Sequence, residues 1–306
     1  MSSRRGVRTL VRWSVSGLVL GGLAGCSSDG RSDPGYGSGG ACYASSIVCY
    51  GPELVGNVDV TSPTWAFCAM RPVVGFGHFS SHGRSESWIT RGEDGAIDDI
   101  RVDCEEAGEV HITAERDAAG RIAAYHDSQV NSDVRFDYGD DDVPNSASSS
   151  TGSQTWSFDY DKEAARLLGT SSEFFSFGGH TEQADLTYET DLVSSIRVRS
   201  TGWFDCDQTI DIVRSAGRII EIEMPGCASG TFYQATFEWE DDSLMRSQAE
   251  TRVGTIETRY TYTEGRLSYL ERDVEGEPST TTWYEYDQMG RVEHIVYWGH
   301  RAPETQ

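Results

Sequence analysis

The sequence predicts an all-β fold. Antiparallel β-hairpins recur about every 25 residues and should form one large, curved and twisted meander sheet, which can roll up. Three observations predict this. A turn motif repeats along the chain, the segments between turns are rich in Tyr, Phe, Trp, Val, Ile and Thr, and helical periodicity is nearly absent.

The clearest copy of the motif lies at residues 284–292. Tyr284 and Tyr286 are two positions apart, so both rings fall on one face of a strand. Asp287 can bond to the backbone amides that follow it, and Gly290 can supply the left-handed backbone that a short hairpin loop needs. Arg291 then begins the return strand. One unit is therefore a strand, a turn, a second strand and a connection.

Weaker copies of the motif follow a regular spacing. The arginines of the better copies, at positions 121, 166, 218, 266 and 291, are separated by 45, 52, 48 and 25 residues, and weaker copies fall near the middle of each long gap. Eight or nine hairpins give about sixteen to eighteen strands, and open sheets rarely exceed about ten without curling. We expect an aromatic core face and an acidic solvent face. The predicted turn residues are Gly120, Arg121, Gly217, Arg218, Gly265, Arg266, Asp287, Gly290 and Arg291.

The motif resembles the YD-repeat, or RHS-repeat, family. The resemblance rests on Tyr-Glu-Tyr-Asp-Gln-Met-Gly-Arg at 284–291, with support at 258–267, 210–219 and 115–122, and covers about two thirds of the chain. It implies long antiparallel hairpins that spiral into a shell, often around a toxin domain. The repeat residues of that family are structural, so no catalytic residue is implied. We expect no toxin-delivery role, because a chain of 306 residues is too short to enclose a cargo.

The N-terminal segment has the order of a bacterial export signal. Four arginines and no acid precede an apolar run at 13–23, which is too short and too rich in glycine to span a membrane. The run ends in Leu23-Ala24-Gly25-Cys26, which is similar to the lipobox of bacterial lipoprotein signal peptides. That resemblance implies lipid attachment at Cys26. Ser27 is not the aspartate that retains many such lipoproteins at the inner membrane, which favours the outer membrane. The alternative is an ordinary cleaved signal that contains a cysteine.

The net charge argues against two classes of partner, nucleic acid and anionic lipid headgroups. The sequence has 25 Lys and Arg against 49 Asp and Glu; without residues 1–25 the bases fall to 21 against the same 49 acids, a net charge of −28. Nucleic acid and anionic lipid headgroups repel such a chain, so a lipid anchor would have to hold it to a membrane. The simpler interpretation of this charge is that it keeps an exported protein soluble. The more specific interpretation is that the protein binds cations.

Cysteine usage fits an exported protein. Six cysteines follow the lipobox, an even number that predicts disulfides in an oxidising compartment. Strands at 209–213 and 218–223 would place Cys206 and Cys227 at the open end of one hairpin, so we predict that pair. Cys42 and Cys49 could close a small loop, which leaves Cys68 with Cys104. A zinc site is the competing interpretation, but Cys-x-x-Cys and Cys/His ligand spacings are absent from the sequence.

The predicted organisation has four parts. A signal peptide at 1–25 precedes a flexible Gly/Ser-rich tether at 26–41, a repeat domain at 42–300 and a tail at 301–306. A disordered insertion is predicted within the domain at 139–155. Its aspartates at 140–142 could hold calcium, but their spacing is not that of an EF-hand loop, so no metal or cofactor is predicted.

The sequence carries few signs of catalysis. It has no Gly-x-Ser-x-Gly, phosphate-loop or dinucleotide motif, and His78 and His82 lie in a Gly/Ser-rich segment typical of a loop. Eight tryptophans could form a sugar-binding platform, although aromatic residues of sheets more often pack in cores. We therefore expect a non-catalytic, lipid-anchored envelope protein that binds or scaffolds an envelope protein or polysaccharide. The alternatives are an envelope-polymer hydrolase with a site invisible in sequence, and a lipid or polymer carrier with an apolar trough.

Overall fold

A computed structural model describes residues 83–299, apart from 105–107, 129–130, 141, 151–153, 162, 165, 175–179, 203–204, 224–233, 252–253 and 276–278. Eighteen strands make up this part of the chain. The first nine are β1 Gly83–Arg91, β2 Ile97–Cys104, β3 Gly108–Arg116, β4 Ile122–Asp127, β5 Ser132–Asp137, β6 Ser146–Ser149, β7 Gln154–Asp161, β8 Arg166–Phe174 and β9 His180–Glu189. The others are β10 Leu192–Thr201, β11 Cys206–Ser215, β12 Arg218–Glu223, β13 Gln234–Glu240, β14 Ser243–Thr251, β15 Gly254–Thr263, β16 Arg266–Val274, β17 Thr280–Tyr286 and β18 Val292–Gly299.

The strands form one closed meander. Each strand pairs antiparallel with the next along the chain, and β1 also pairs with β18, with Gly83 opposite Gly299 and Trp88 opposite His294. The predicted all-β fold of hairpin repeats is confirmed, and the sheet rolls up until its first and last strands meet. The strand ends next to the nine hairpin turns therefore lie at one rim of the barrel, and the opposite strand ends lie at the other.

Inward side chains form two hydrophobic clusters. One cluster is built from β6–β13 and contains Val193 and Ile219, and the other is built from β1–β4 and β14–β18 and contains Ile97 and Ile295. All four of these residues have almost no exposed surface. Strand alternation explains the arrangement, because every second residue of a strand points into the barrel. The interior is thus packed at these positions.

The core is less aromatic than the sequence analysis predicted. Aliphatic residues supply most of it, with tyrosines such as Tyr125 and Tyr284 among them. Three tryptophans of the described strands, Trp88, Trp283 and Trp298, instead point outward. The reason is the two-residue period of a strand: Trp283 is adjacent to the buried Tyr284, so the two rings must lie on opposite faces.

The predicted disordered insertion at 139–155 contains a strand. Ser146–Ser149 form β6, which pairs with both β5 and β7. Backbone bonding to two neighbours and the inward position of Ala147 compensate for the strand's serine-rich composition. Asn145 fixes the turn before it, since its Nδ2 donates to the Tyr138 carbonyl at 2.9 Å. Within the described ranges, no helix has the length and apolar character needed to cross a membrane.

Candidate functional site

The strongest copies of the motif form an aspartate–arginine clamp around a glycine turn. In the last turn, Asp287 Oδ1 accepts from the Arg291 amide at 2.9 Å and Oδ2 accepts from Arg291 Nε at 2.8 Å. Asp117 holds Arg121 with the same two distances. The hydrogen bond from Arg121 lowers the pKa of Asp117, against a smaller opposing effect of burial. These residues therefore shape the turn and leave no carboxylate free for chemistry there.

Glycine supplies the backbone geometry of these turns. Gly120 and Gly290 have φ of 85° and 82°, and each donates its amide to the aspartate carbonyl three residues earlier. Gly217 and Gly265 have φ of 82° and 76° in tighter, two-residue turns. A Cβ at position 290 would also lie 3.0 Å from the Arg266 guanidinium.

Aromatic residues tie successive hairpins together. The last aromatic before a turn donates to the carbonyl that follows the motif arginine of the preceding hairpin. Tyr138 donates to Ile122 and Tyr286 donates to Leu267, both at 2.7 Å. Tyr188 and Trp239 make the matching bonds to Leu167 and Ile219.

Arginines of the motif cover the same aromatic rings. The Arg121 guanidinium lies 4.4 Å from the centre of the Tyr138 ring, and that of Arg266 lies 5.7 Å from Tyr286. Arg218 instead pairs with Asp242 of the next turn at 2.6 Å. Burial raises the pKa of Tyr138 to about 12. The motif residues thus join neighbouring hairpins at the turn rim, which is a structural role.

The predicted lipid and disulfide residues fall largely outside the described part of the chain. Five of these residues lie outside the described ranges: Cys26, Cys42, Cys49, Cys68 and Cys227. The backbones of the remaining two cysteines are described, with Cys104 ending β2 and Cys206 beginning β11. The predicted disulfides stay predictions.

An outer aromatic band crosses the seam where the barrel closes. We define it as Tyr269 on β16, Trp283 on β17, His294 and Trp298 on β18, and Trp88 on β1. Tyr269 lies opposite Trp283, with ring centroids 5.2 Å apart and planes tilted by 51°. His294 stacks on Trp88 across the seam, at 5.2 Å and 17°. Five rings on four consecutive strands therefore share one outward face.

Two rings of the band remain open to solvent. Trp283 is 40% exposed and Trp298 is 46% exposed. The Trp88 ring, on β1, is already covered, because the Arg101 guanidinium lies 4.2 Å from its centre. Arg84 lies 5.0 Å from the Trp298 ring. Large exposed aromatic surface is characteristic of binding sites.

Carboxylates lie near two rings of the band, Trp283 and Tyr269. Glu285 is on the same strand face as Trp283, and its side chain is 67% exposed although it bonds His294 Nδ1 at 3.0 Å. Glu271 and Asp273 follow Tyr269 on the same face of β16, and both approach Arg259, at 3.3 and 3.2 Å. Burial raises the pKa of the Tyr269 hydroxyl, and both acids add to the effect.

Histidine–carboxylate groups also lie on the outer face. His111 Nε2 is 2.9 Å from Glu109 and its Nδ1 is 3.4 Å from Asp99. The hydrogen bond with Glu109 raises the pKa of His111, burial opposes it, and Asp99 adds to it. The His111–Glu109 pair can stabilise the sheet. Within the described ranges, no group of three or more His, Cys, Asp or Glu side chains is placed to hold a metal ion. Of the aspartates at 140–142 that could hold calcium, Asp140 and Asp142 are exposed.

Sequence patterns missed the outer aromatic band because Trp88 lies far along the chain from the other members, and because the turn motif does not include these residues. Trp88 and His294 are neighbours only because β1 pairs with β18. Alternation did hold a signal, since His294, Val296 and Trp298 are spaced to share one face of a strand. Which face points outward depends on the closure of the sheet.

The fold and this surface define a closed all-β barrel of hairpin repeats with a packed interior and an aromatic outer band. No protein-family model and no curated protein matches the chain. A solved structure of TcdB2-TccC3-TEV is similar, with a TM-score of 0.34 and 12% identity over 67% of this chain, which spans 12% of that chain's length. A porin-like protein from Bacteroides uniformis ATCC 8492 has a TM-score of 0.35 and 11% identity over 71% of this chain and 97% of its own. Both TM-scores are too low to bear on function.

Proposed function

We propose that this protein is a lipid-anchored envelope protein, held at the outer membrane, that binds a partner and has no catalytic activity. The outer aromatic band is the observation that carries the proposal. Inward side chains pack in the two hydrophobic clusters, so the strands present only their outer face to a partner. On that face, Trp283 and Trp298 present aromatic surface to solvent, and burying such rings is a common source of binding energy.

The anchor part of the proposal is supported by the lipobox and by charge. A strongly acidic chain gains nothing from anionic headgroups, so stable membrane attachment requires covalent lipid. Labelled palmitate should be incorporated by the wild-type protein and by a Cys42→Ser control, and should be lost in Cys26→Ser. Persistence of label in Cys26→Ser would contradict the anchor.

The membrane assignment has its own test at the residue after the cysteine. Ser27→Asp should move the protein from the outer-membrane to the inner-membrane fraction of a density gradient, because aspartate there is the retention signal of the lipoproteins that the lipobox resembles. Ser28→Asp serves as the matched control, with the same charge one position later. An unchanged fractionation of Ser27→Asp would leave the outer-membrane assignment without support.

Binding through the band can be tested in intact cells. A photo-reactive phenylalanine at position 283 should give discrete cross-linked products on irradiation. The same residue at position 220, an exposed apolar position on β12, should not. Equal products at both positions, or none at 283, would remove the band as a binding surface. Release of a defined product from envelope polymers by the purified protein would contradict the non-catalytic assignment.

A further inference from the structure

We propose that the outer aromatic band binds a cationic segment of a partner protein, one that carries arginine or lysine side chains. The inference rests on the proposed function, because it identifies the chemistry of the partner that the band would bind. Three features carry it: the open ring faces, the carboxylates near Trp283 and Tyr269, and the absence of a free sheet edge among the described strands.

The ring faces suit a cation. A guanidinium or ammonium group within about 6 Å of an indole centre is attracted by the negative face of the ring, and Trp is the best of the aromatic side chains for this contact. The same surface already uses the interaction within the chain, as Arg84 lies over Trp298 and Arg101 over Trp88. Trp298 keeps 46% of its surface exposed despite Arg84, which leaves area for a second group.

The charge around the rings favours a cationic occupant. Glu285 extends into solvent beside Trp283 and can accept hydrogen bonds from an incoming guanidinium. The nearby arginine on β15, Arg259, is balanced by Glu257, Glu271 and Asp273. The whole chain carries a net charge of −24, so a basic partner is also drawn in at long range.

Sheet closure determines how the segment can bind. Because β1 pairs with β18, the described strands offer no open edge to which a peptide could add as another strand. The partner must therefore lie across the face and be recognised through its side chains. Recognition by rings and carboxylates selects charge and planarity, which arginine combines in one group.

The experiment uses the full-length protein, produced with its own signal and purified in a mild detergent. A fluorescent peptide in which arginine alternates with serine is titrated, and binding is followed by anisotropy. The peptide in which citrulline replaces arginine is the matched neutral control, since it keeps the shape and loses the charge. We expect the arginine peptide to bind, to weaken as salt increases, and to bind at least about tenfold more tightly than the citrulline peptide.

Paired variants locate the site. Trp283→Ala combined with Trp298→Ala should weaken binding of the arginine peptide about tenfold, and Glu285→Gln should weaken it about threefold. Ile220→Ala, on β12, is the control for loss of exposed apolar surface, and Asp211→Asn, on β11, is the control for loss of one carboxylate. Both should leave the affinity for the arginine peptide unchanged. Thermal melting of each variant shows that the barrel remains folded.

Each other outcome contradicts the inference. Equal binding of the citrulline peptide would mean that the charge is not recognised. Weakening by Asp211→Asn as strong as that by Glu285→Gln would mean that general acidity attracts the peptide. A neutral oligosaccharide that displaces the peptide and binds more tightly would identify the band as a glycan platform. If no peptide binds while position 283 still cross-links in cells, the inference fails and the proposed function stands; if those cross-links are also missing, both fail.

Discussion

At the scale of single residues, the turns hold backbone conformations that most side chains disfavour. Ala216 and Gly217 form a two-residue turn with φ of 52° and 82°. Both values lie in the left-handed region, where an L-residue with a Cβ is strained by about 1–2 kcal/mol. A turn with two positive φ values matches the twist of the flanking strands, which explains why this strain is tolerated.

This turn gives a pair of substitutions with opposite effects. Gly217→Ala should lower the free energy of unfolding by about 1 kcal/mol, and Ala216→Gly should raise it by a similar amount. A Cβ at position 217 would meet nothing within 4 Å, so the effect is conformational. Urea denaturation of both variants measures it. A shift in the same direction for both would rule out left-handed strain as the cause.

His111 makes stability depend on pH. Hydrogen bonding with Glu109 raises the pKa of the histidine and lowers that of the glutamate. A raised histidine pKa stabilises the fold below the unfolded pKa, and the effect is lost as pH rises through the folded pKa. The glutamate's contribution is lost as pH falls through its own lowered pKa. The pair should therefore contribute most in mildly acidic solution, about pH 5–6.

The corresponding variant is His111→Gln. Its deficit in unfolding free energy relative to the wild type should be larger at about pH 5.5 than at about pH 8, because glutamine cannot carry the proton. Asp99 and Arg101 also face this group, so buffers of one ionic strength are needed. A deficit that is equal at both pH values would show that the histidine contributes only by packing.

At the scale of elements, each hairpin is joined to the next by the aromatic residue that precedes its turn. The Tyr286 hydroxyl donates to the Leu267 carbonyl at 2.7 Å. Tyr286→Phe leaves that carbonyl without its donor and should cost about 1 kcal/mol. Tyr269→Phe is the control, because its ring lies on the outer face, and should change stability by about 0.5 kcal/mol or less. Equal costs for the two variants would mean that the cross-hairpin bond contributes nothing.

The hairpins could be predicted from the sequence because their turns require particular residue types. The turn demands Asp, Gly and Arg at fixed positions, and these residue types are rare enough in strands to be seen as a repeat. Turns without glycine, such as Thr190-Asp191 and Asp241-Asp242, lie near the middle of the long gaps, where the spacing places the weaker copies of the motif. The serine-rich strand β6 was missed, since its pairing comes from its neighbours and its composition resembles that of a loop.

At the scale of the whole molecule, closure creates what local patterns could not predict. Each hairpin is specified by its own residues, but the pairing of β1 with β18 joins segments about 200 residues apart. Only that pairing brings Trp88 against His294, so the outer aromatic band extends across the seam only in the closed barrel. Stability of the seam and integrity of the band should therefore be linked.

The seam can be tested at two adjacent residues of β18. Ile295 points inward and is 1% exposed, whereas Val296 points outward between Trp283 and Glu86. Ile295→Ala leaves a core cavity and should lower the free energy of unfolding by about 2–5 kcal/mol. Val296→Ala should change it by about 0.5 kcal/mol or less.

Hydrogen exchange would show whether the two ends of the chain depend on each other. Since β1 and β18 supply each other's backbone partners, Ile295→Ala should speed amide exchange in both strands together, more than in β9 and β10 on the other core cluster. Faster exchange in β18 with β1 unchanged would mean that β1 is held by β2 alone. In that case the barrel would behave as an open sheet, and the stack of Trp88 on His294 would lose its fixed geometry across the seam.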